Sequence, residues 1–574
     1  MDDFIANLKD EEIPVFVPGE EEYERSVATS NLLYRFSRPT CVVQPKRASQ
    51  VQLAIRCAVQ LKDALPKDEK IKGQVIIKGG GHSYAGFSTA ETGISLDLGA
   101  NMKKVTLQLD KDRNPDTVTL QGGAQWGHAY KQLVNGGHRG YIINGGRCPT
   151  VGVGGFTTGG GLGPFTRTFG MGCDTLLSAT IVIADGELIT VSEKDHPTTE
   201  NGRLFWALRG AGGGNFGVVV EMTMKVQKLK QTDEGTVTAG RFLWTPNVNA
   251  KEPEDLIGTM NKFYTTDWPV ETTIDSSWLA DLSKKDIQVR FLVYHDGHDK
   301  DFDNVIESNI ANKDLRDQLV RKTLPEVSTR FLHETLVSLW SEDIKRAFPQ
   351  NKTYQIYSSF SFTNDPAVIT KITSIIQEEL QRFRKVAEGE SSGLCQVTFI
   401  HSGGAASSIP AHSTAFRWRE ATYHAYIMIE WTEKYLEKDM LPFLQSFKSR
   451  LRPYSLHQTA AFINFADNKL DPTSYERAYY GNNTTKLREI KRFRDSKNFF
   501  EWTQGVRLPE AKNEEGEDGE KVARTKDEDA LAKDVSEGVE ADAIAREAWK
   551  TVTAYPENAV KPTGDVFTMT DLGY

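Results

Sequence analysis

Two glycine-rich runs strongly limit what this 574-residue chain can fold into. They are "KGGGHSYAGFS", residues 78–88, and "GGRCPTVGVGGFTTGGGLG", residues 145–163. Consecutive residues without side chains leave backbone N–H groups open to close approach by a ligand, as a diphosphate and an extended aromatic ring system require. Tight turns in a glycine-rich β domain explain either run alone. Together, the two runs indicate a site for a large dinucleotide.

A third run, "GGGNFG" at residues 212–217, matches the spacing of a dinucleotide-binding loop. That loop requires a strand before it and a helix after it, so that the pyrophosphate meets a helix N-terminus. Here "LFWALRG" predicts a helix before the run and "VVVEMTMKV" predicts a strand after it. We therefore interpret this run as a helix C-cap and turn.

Composition and charge exclude several function classes. The formal net charge is -9, and no run of Lys and Arg suits a nucleic acid. The start of the chain has no basic segment followed by an apolar run, and no apolar stretch reaches the ~18 residues of a membrane span. Five scattered cysteines form neither a disulfide framework nor a zinc spacing. We predict a cytoplasmic protein with no metal and with neither nucleic acid nor membrane as a partner.

The pattern of apolar residues, glycines and charges along the chain predicts an α+β protein with five segments. Residues 35–230 mix short β-branched runs, glycine turns and a helix at "SQVQLAIRCAVQLKDAL", whereas residues 231–465 predict an antiparallel sheet backed by helices. A lead, residues 1–34, precedes them, and a helix-rich segment, residues 466–508, follows. The charged extension 509–574 either forms one helix at "EDALAKDVSEGVEADAIAREAWKTV" or is a solvated tail.

Each of the first two glycine runs also contains a nucleophile, His82 in one and Cys148 in the other. With "GGGHSYAGFS", "NGGRCPTVGVGG", "GMGCDTL", "LFWALRGAGGGNFGVV", "NFADNKL" and "YYGNN", the chain resembles the berberine bridge enzyme-like branch of the vanillyl-alcohol oxidase superfamily. The resemblance runs from about Arg38 to Gln504. It implies a two-part FAD-binding domain of the p-cresol methylhydroxylase type, residues 35–230 with 466–508, and a substrate domain between the parts.

The resemblance also implies how the cofactor is held. By motif position, His82 bonds the 8α-methyl of FAD and Cys148 bonds C6 of the flavin. Two attachments would fix the ring and raise its potential, which favours hydride transfer from a poor donor. The other residues expected at the cofactor are Gly79, Gly80, Gly81, Ser83, Gly86, Ser88, Gly145, Gly146, Val151, Gly152, Gly154, Gly155, Gly159, Gly160, Tyr480 and Asn482, with Tyr479 beside them.

Val151 matches the position that faces the oxygen side of the flavin in related enzymes. A small branched residue there implies an oxidase that returns electrons to molecular oxygen as hydrogen peroxide. An ordinary packed valine is the alternative interpretation.

The substrate side departs from the family pattern. Where relatives carry a tyrosine base, this chain has Phe462 and Phe465, and neither can take a proton. In "YHAYIMIEWT", the position at which the berberine-forming enzymes carry a catalytic glutamate falls on His424, so the resemblance implies His424 as the candidate base. Strand alternation places His424, Tyr426 and Met428 on one face, with Tyr426 beside the candidate base. A core histidine is an equal alternative. Phe156 replaces a common histidine and removes polar support for the flavin.

The sequence therefore predicts an FAD-linked oxidase that removes hydride from a C–H bond next to a hydroxyl or amine. The expected partners are oxygen and a small molecule, aromatic or a secondary metabolite, with Phe416, Trp418 and Tyr426 as aromatic walls. Alternatives are an oligosaccharide or alcohol oxidase, a flavin-bearing cyclase or isomerase, and an idle flavin-binding protein. The expected state is a monomer or homodimer.

Overall fold

The computed structural model describes residues 1–29, 31–230, 235–246, 255–340 and 352–510. Among the described residues, 1–444 and 451–510 form one compact unit, and the architecture below is that of this unit. The helix predicted in the C-terminal extension lies outside the described residues. Within the described ranges, no helix combines the length and apolar character needed to cross a membrane.

The first layer is a four-stranded sheet with the order β1-β2-β4-β3. Its strands are β1 (Val15–Phe16), β2 (Cys41–Val43), β3 (Val75–Lys78) and β4 (Ile94–Asp97). Strands β2, β4 and β3 run parallel, and helix α3, predicted from its apolar spacing, connects β2 to β3. The helices of this region are α1 (Asp2–Asp10), α2 (Glu21–Val27) and α3 (Ala48–Ala64). Because β3 ends at Lys78, the first glycine run begins at the carboxyl edge of this sheet.

The second layer is an antiparallel sheet with the order β5-β6-β10-β8-β9, with β7 paired to β10. Its strands are β5 (Val105–Leu109), β6 (Pro115–Gln121), β7 (Tyr141–Ile143), β8 (Leu176–Val182), β9 (Leu188–Ser192) and β10 (Val218–Lys228). Helices α4 (Trp126–Asn135), α5 (Val153–Thr158), α6 (Thr166–Phe169) and α7 (Glu200–Ala207) lie in the same stretch. Along β10, buried Val218, Val220 and Met222 alternate with more exposed residues, as a sheet with one buried face requires.

The third layer is a seven-stranded antiparallel sheet with the order β14-β11-β13-β12-β16-β17-β15. Its strands are β11 (Thr236–Trp244), β12 (Thr272–Asp281), β13 (Gln288–His295), β14 (Thr323–Val327), β15 (Tyr354–Phe362), β16 (Leu394–His401) and β17 (Tyr423–Trp431). Its helices are α8 (Leu256–Thr265), α9 (Asp299–Asn309), α10 (Lys313–Lys322), α11 (Ser328–Arg330), α12 (Leu336–Leu339), α13 (Pro366–Val386), α14 (Ala405–Ser408) and α15 (Glu437–Leu451). The amphipathic stretch 304–320 is divided between two helices, α9 and α10. The chain is α+β, as predicted.

Strand β17 is buried on both faces. Tyr423 packs against Tyr264 of α8 on one face, while His424 packs against Phe462 on the other. Helix α13 begins after Asp365, whose carboxylate accepts hydrogen bonds from Ala367 and Val368 N–H groups, with Pro366 in the first turn. Strand β17 is therefore covered by α8 on one face and by the segment around Phe462 on the other.

The last described segment packs back on the first two layers. It contains α16 (Tyr475–Tyr480) and α17 (Thr484–Arg494). Lys491, fully buried, donates hydrogen bonds to the carbonyls of Asn215 and Phe500 and pairs with Asp495. Phe499 and Phe500 complete the core of the first sheet. Residues from opposite ends of the chain thus share one core.

Candidate active site

The two glycine runs touch each other through their backbones. A Cβ built on Gly80 would lie 2.4 Å from the Gly152 nitrogen, and a Cβ on Gly152 would lie 2.4 Å from the Gly80 nitrogen. Those atoms are backbone, so no side-chain rotation could relieve the clash. Gly81 has φ +72°, a conformation that glycine adopts without strain. The contact joins the end of β3 to the start of α5.

His82 and Cys148 are brought together by this contact. The Thr150 hydroxyl lies 3.1 Å from His82 Nε2 and 3.2 Å from Cys148 Sγ. Cys148 is buried, with 7% of its surface exposed. The two nucleophiles predicted from separate motifs therefore share one hydroxyl partner.

The loop carrying Cys148 is tied to the third sheet by a buried ion pair. Arg147 donates two hydrogen bonds to the Asp275 carboxylate, one of them 3.0 Å from Nη2 to Oδ1, and its Nη1 donates to the Leu162 carbonyl. Asp275 also accepts from the His401 N–H at 2.9 Å. Burial raises the pKa of the Asp275 carboxyl, and the Arg147 guanidinium opposes that rise. Arg147 thus holds the Cys148 loop through Asp275 of β12 and through the Leu162 carbonyl of its own glycine run.

A cavity of about 530 Å³ lies between the glycine runs and the third sheet. Its wall contains most of the residues predicted at the cofactor, namely Gly79, Gly80, Gly81, His82, Ser83, Gly86, Ser88, Gly146, Cys148, Val151, Gly152, Gly154 and Gly155. Gly212, Gly213 and Gly214 join them. We call residues 79–81, 152–155 and 212–214 the glycine wall. Its surface is mainly backbone.

Five residues predicted at the cofactor do not line the cavity. Gly145, Gly159 and Gly160 are packed against Trp126, Asn464 and Met171, where a Cβ would clash. The Tyr480 hydroxyl donates to the Ala211 carbonyl at 2.8 Å, and Asn482 is exposed at the surface. These residues shape or support the loops from behind. Tyr479 likewise points away, with its hydroxyl 2.7 Å from Gln504 Oε1.

Opposite the glycine wall, four rings form what we call the aromatic wall: Tyr84, Tyr357, Tyr426 and Phe465. Tyr84 and Tyr357 stack with centroids 4.2 Å apart and planes within 5°. Phe465 packs on Tyr426 at 4.8 Å. The Tyr357 hydroxyl donates to Gln355 Oε1 at 2.8 Å. This wall can stack against a flat group and offers phenolic hydroxyls nearby.

His424 lies behind this wall. Phe462 lines the cavity, and the His424 ring packs against it at 5.2 Å without lining the cavity itself. Its Nδ1 lies 2.9 Å from the Ser361 hydroxyl. Burial, aided by the positive charge of Arg419, lowers its pKa to about 3. The imidazole is neutral at physiological pH, but Phe462 would have to move before His424 could touch a bound substrate.

Two other residues expected to form aromatic walls also lie outside the cavity. Phe416 packs against Phe462 from behind, and Trp418 donates its indole N–H to the Ala478 carbonyl. Both are core residues. Phe156, by contrast, lines the cavity and packs edge-on against Trp126 at 5.0 Å. An apolar ring thus occupies the position that departs from the family pattern.

Sequence reasoning missed several residues of the site. Gly212–Gly214 were interpreted as a turn, which they form, but that turn also lines the cavity. Thr150 and the Arg147–Asp275 pair flank Cys148 without having been singled out. The signal for Thr150 was its place two residues after a predicted nucleophile. Asp275 lies 128 residues from Arg147, and no local pattern connects them.

Comparison with known proteins identifies the cofactor class. A family described as FAD binding domain matches residues 39–192, and one described as berberine and berberine-like matches residues 461–507. The chain is 27% identical to the FAD-linked oxidoreductase YgaK of Bacillus subtilis, over 75% of this chain and 85% of that protein. It is 24% identical to a xylooligosaccharide oxidase of Thermothelomyces thermophilus, over 87% and 93% of the two chains.

Solved structures share the fold. A variant of berberine bridge enzyme superposes with a TM-score of 0.71 at 18% identity, covering 88% of this chain and 100% of that one. A variant of the grass pollen protein Phl p 4, described as a glucose oxidase, gives 0.71 at 21% identity, covering 88% and 99%. These likenesses establish the fold that the chain shares with both proteins.

The residues of the cavity fit FAD. The glycine wall offers backbone where side chains would intrude, and a Cβ on Gly155 would meet nothing within 4 Å. Lys78 lines the first-sheet end of the cavity, where its ammonium, paired with Asp97 at 3.4 Å, could also donate a hydrogen bond to a diphosphate. The other end reaches the aromatic wall, so one elongated cofactor could span the distance.

Proposed function

We propose a specific activity for this chain, which belongs to the berberine bridge enzyme-like branch of the vanillyl-alcohol oxidase superfamily and is an FAD-linked oxidase. It holds FAD through two covalent bonds, from His82 and Cys148. It oxidises a C–H bond next to a hydroxyl or amine in an aromatic or secondary-metabolite substrate, and oxygen is reduced to hydrogen peroxide.

The observation that carries this proposal is the placement of His82 and Cys148. Two nucleophiles from separate loops line one cavity and share the Thr150 hydroxyl. A structural histidine and a structural cysteine would not need to meet on the wall of a cofactor-sized cavity. The glycine wall holds the backbone close to the cofactor, and the Arg147–Asp275 pair holds the Cys148 loop in place.

Bound FAD supplies the hydride acceptor and returns the electrons to oxygen. The chain supplies orientation and a base. We assign the base to Tyr426, which lines the cavity on β17 beside Phe465. In its deprotonated, phenolate form this side chain would accept the hydroxyl or amine proton as the neighbouring C–H bond breaks, and would become the neutral phenol. His424, behind Phe462, acts on this wall only through packing and its hydrogen bond to Ser361.

The aromatic wall supports a substrate with a flat apolar face. Tyr84, Tyr357 and Phe465 supply ring surface, and stacking rewards an aromatic substrate. A second candidate is an oligosaccharide, because relatives along most of the chain include a xylooligosaccharide oxidase. Sugars also stack on aromatic rings, but they need several polar partners for their hydroxyls. A peroxide screen over both substrate classes separates the two candidates.

The test of the attachment uses purified wild-type protein with His82→Ala and Cys148→Ala variants. After acid precipitation, the wild-type pellet should stay yellow, and its intact mass should exceed that of the 64.2 kDa chain by one FAD. Each variant should keep FAD through the remaining residue, and the double variant should release it. A white wild-type pellet with the bare chain mass would refute the proposed attachment.

A further inference from the structure

We propose that Thr150 is the positioning residue that prepares His82 and Cys148 together for attachment to FAD, by sharing one hydroxyl proton between them. The inference rests on the proposed double attachment. It goes further in naming a third residue without which the two nucleophiles are not ready at the same time.

The geometry places a single hydroxyl between two reactive atoms. Thr150 Oγ1 lies 3.1 Å from His82 Nε2 and 3.2 Å from Cys148 Sγ, both within hydrogen-bond reach. A threonine hydroxyl has one proton to donate and lone pairs with which to accept. It can therefore donate to one neighbour only while accepting from the other. The proton positions on histidine and cysteine are coupled through this atom.

Two arrangements of the protons are possible. In the first, the Cys148 thiol donates to Thr150 and the Thr150 hydroxyl donates to a bare His82 Nε2, so that the imidazole proton sits on Nδ1. In the second, His82 Nε2–H donates to Thr150 and the Thr150 hydroxyl donates to a Cys148 thiolate. Nδ1 is then bare. Only the second arrangement presents two nucleophiles, since a thiolate and an unprotonated ring nitrogen are the reactive forms.

The change from the first arrangement to the second balances with one proton lost to water. The S–H proton passes to Thr150 Oγ1 as the Oγ1 proton passes to His82 Nε2, and the imidazolium so formed releases its Nδ1 proton to solvent. The product is a Cys148 thiolate and a neutral imidazole. Only bonds to hydrogen change, so no oxidant or reductant is needed.

The position of Thr150 in the fold suits this role. It follows Cys148 and Pro149 and lies in the same loop as Gly152, whose backbone touches Gly80 two residues before His82. The glycine contact therefore fixes the distance between the two loops. At that distance the Thr150 hydroxyl can form hydrogen bonds to His82 and Cys148 at the same time. His82, whose Nδ1 gives up the proton, is only half-buried, so that proton can reach water.

The experiment compares Thr150→Val with Thr150→Ser in the full chain. Each protein is produced under riboflavin limitation and incubated with FAD, and the singly and doubly linked fractions are followed over time by intact mass after acid denaturation. Thr150→Val should slow linkage at Cys148 about tenfold or more, because the thiolate loses the hydroxyl that donates a hydrogen bond to it. Linkage at His82 should slow with it.

Thr150→Ser should link both residues at close to the wild-type rate, since it keeps the hydroxyl. Raising the pH should restore Thr150→Val, because bulk hydroxide then removes the thiol proton that the missing hydroxyl no longer accepts. A merely structural role would show no such pH rescue. Thr158→Val is a matched control: it removes a hydroxyl from the same cavity that bonds only to carbonyls of its own helix.

The outcomes separate this inference from the proposed function. If wild-type protein forms no covalent adduct, the proposed attachment fails and this inference fails with it. If the wild type is doubly linked and Thr150→Val is linked equally fast, only the Thr150 role is overturned. Should Thr150→Val fail to fold, Thr150→Ala replaces it, and loss of linkage in Thr150→Ser would likewise overturn the inference.

Discussion

The glycine wall and the aromatic wall bound the same cavity but are built in opposite ways. The glycine wall is backbone from two loops and from the start of helix α5, with Gly80 and Gly152 in direct contact. The aromatic wall consists of four large side chains, from a loop, from strands β15 and β17, and from the turn that contains Phe465. The glycine wall therefore presents backbone atoms, whereas the aromatic wall presents side chains.

This difference indicates where the chain can vary. A backbone surface keeps its shape only if nothing larger than hydrogen is added, so it suits a group that every member of a family must hold. The shape of a surface made of side chains can be changed by substituting one residue at a time. We therefore expect the glycine wall to govern FAD and the aromatic wall to govern the substrate.

The largest effect should come from Gly80→Ala. The added methyl would lie 2.4 Å from the Gly152 nitrogen, a backbone atom that no side-chain rotation can move away. Overpacking of this kind costs about 3 kcal/mol or more, so the yield of folded protein, its unfolding temperature and its bound FAD should all fall. Thermal unfolding and flavin absorbance measure the three.

Gly155→Ala is the matched control on the same wall, because its Cβ meets nothing within 4 Å and the residue lies in helix α5. Alanine should leave the unfolding temperature unchanged or raise it, since helix propensity favours alanine by up to about 1 kcal/mol. Equal destabilisation by both substitutions would show that the Gly80–Gly152 contact is not what makes this wall sensitive.

The two walls also differ in how far local sequence reveals them. Consecutive glycines in the sequence directly predict a surface made of backbone, because glycine has no side chain. The same logic could not tell Gly152, which lines the cavity, from Gly145, which packs on Trp126, because spacing along a loop does not say which side faces the ligand. For Gly212–Gly214, the order of helix and strand excluded one type of loop but not a turn that lines the cavity.

The aromatic wall depends on contacts between distant parts of the chain. Strand alternation correctly assigned His424 and Tyr426 to one face of β17. It could not show that Phe462 covers His424 while Tyr426 reaches the cavity, because depth depends on what packs above the strand. Tyr84 and Tyr357, 273 residues apart in numbering, meet only in the folded chain.

The next largest effect should come from Tyr426→Phe, which tests whether the aromatic wall does chemistry as well as binding. Loss of a general base slows the chemical step by about 100-fold or more. With a substrate from the peroxide screen, anaerobic stopped-flow absorbance should show slow flavin reduction in the variant. Substrate affinity should change little, because the ring and its contact with Phe465 remain.

Tyr357→Phe serves as the comparison, since that hydroxyl is already engaged with Gln355. We expect the rate to fall by less than about tenfold, in keeping with the loss of one hydrogen bond. The reverse ranking, with Tyr357→Phe far slower than Tyr426→Phe, would move the base from β17 to β15.

A smaller effect concerns His424 behind the aromatic wall and appears as pH dependence of stability. Its pKa is about 3 in the folded protein, lowered from about 6.5 by burial and by Arg419. Below about pH 6.5, His424 is protonated in the unfolded state but stays neutral in the folded state. The stabilising contribution is therefore present above pH 6.5 and is lost as the pH falls from 6.5 towards 3. Between about pH 7.5 and about pH 5 this group should cost about 2 kcal/mol.

Urea denaturation of wild type and His424→Asn at these two pH values measures the contribution. Asparagine can keep a hydrogen bond to Ser361 but cannot be protonated, so the variant should lose about 2 kcal/mol less than wild type on acidification. Its stability at neutral pH should be lower because the amide fills less space than the ring. Parallel pH curves for the two proteins would mean that His424 is protonated in the folded state.

The smallest effect should come from Val151→Leu, at the edge between the two walls. Val151 lines the cavity three residues after Cys148, and its carbonyl accepts from the Trp126 N–H at 3.1 Å. One added methylene would narrow the path for oxygen while leaving the aromatic wall intact. Reoxidation of the reduced flavin by oxygen should slow about tenfold, a change of about 1.4 kcal/mol in the barrier, while anaerobic flavin reduction keeps its rate.

Val151→Ala is the control in the opposite direction and should reoxidise at least as fast as wild type. If Val151→Leu slows reduction and reoxidation equally, the residue shapes the substrate pocket, and oxygen must reach the cofactor from the glycine wall.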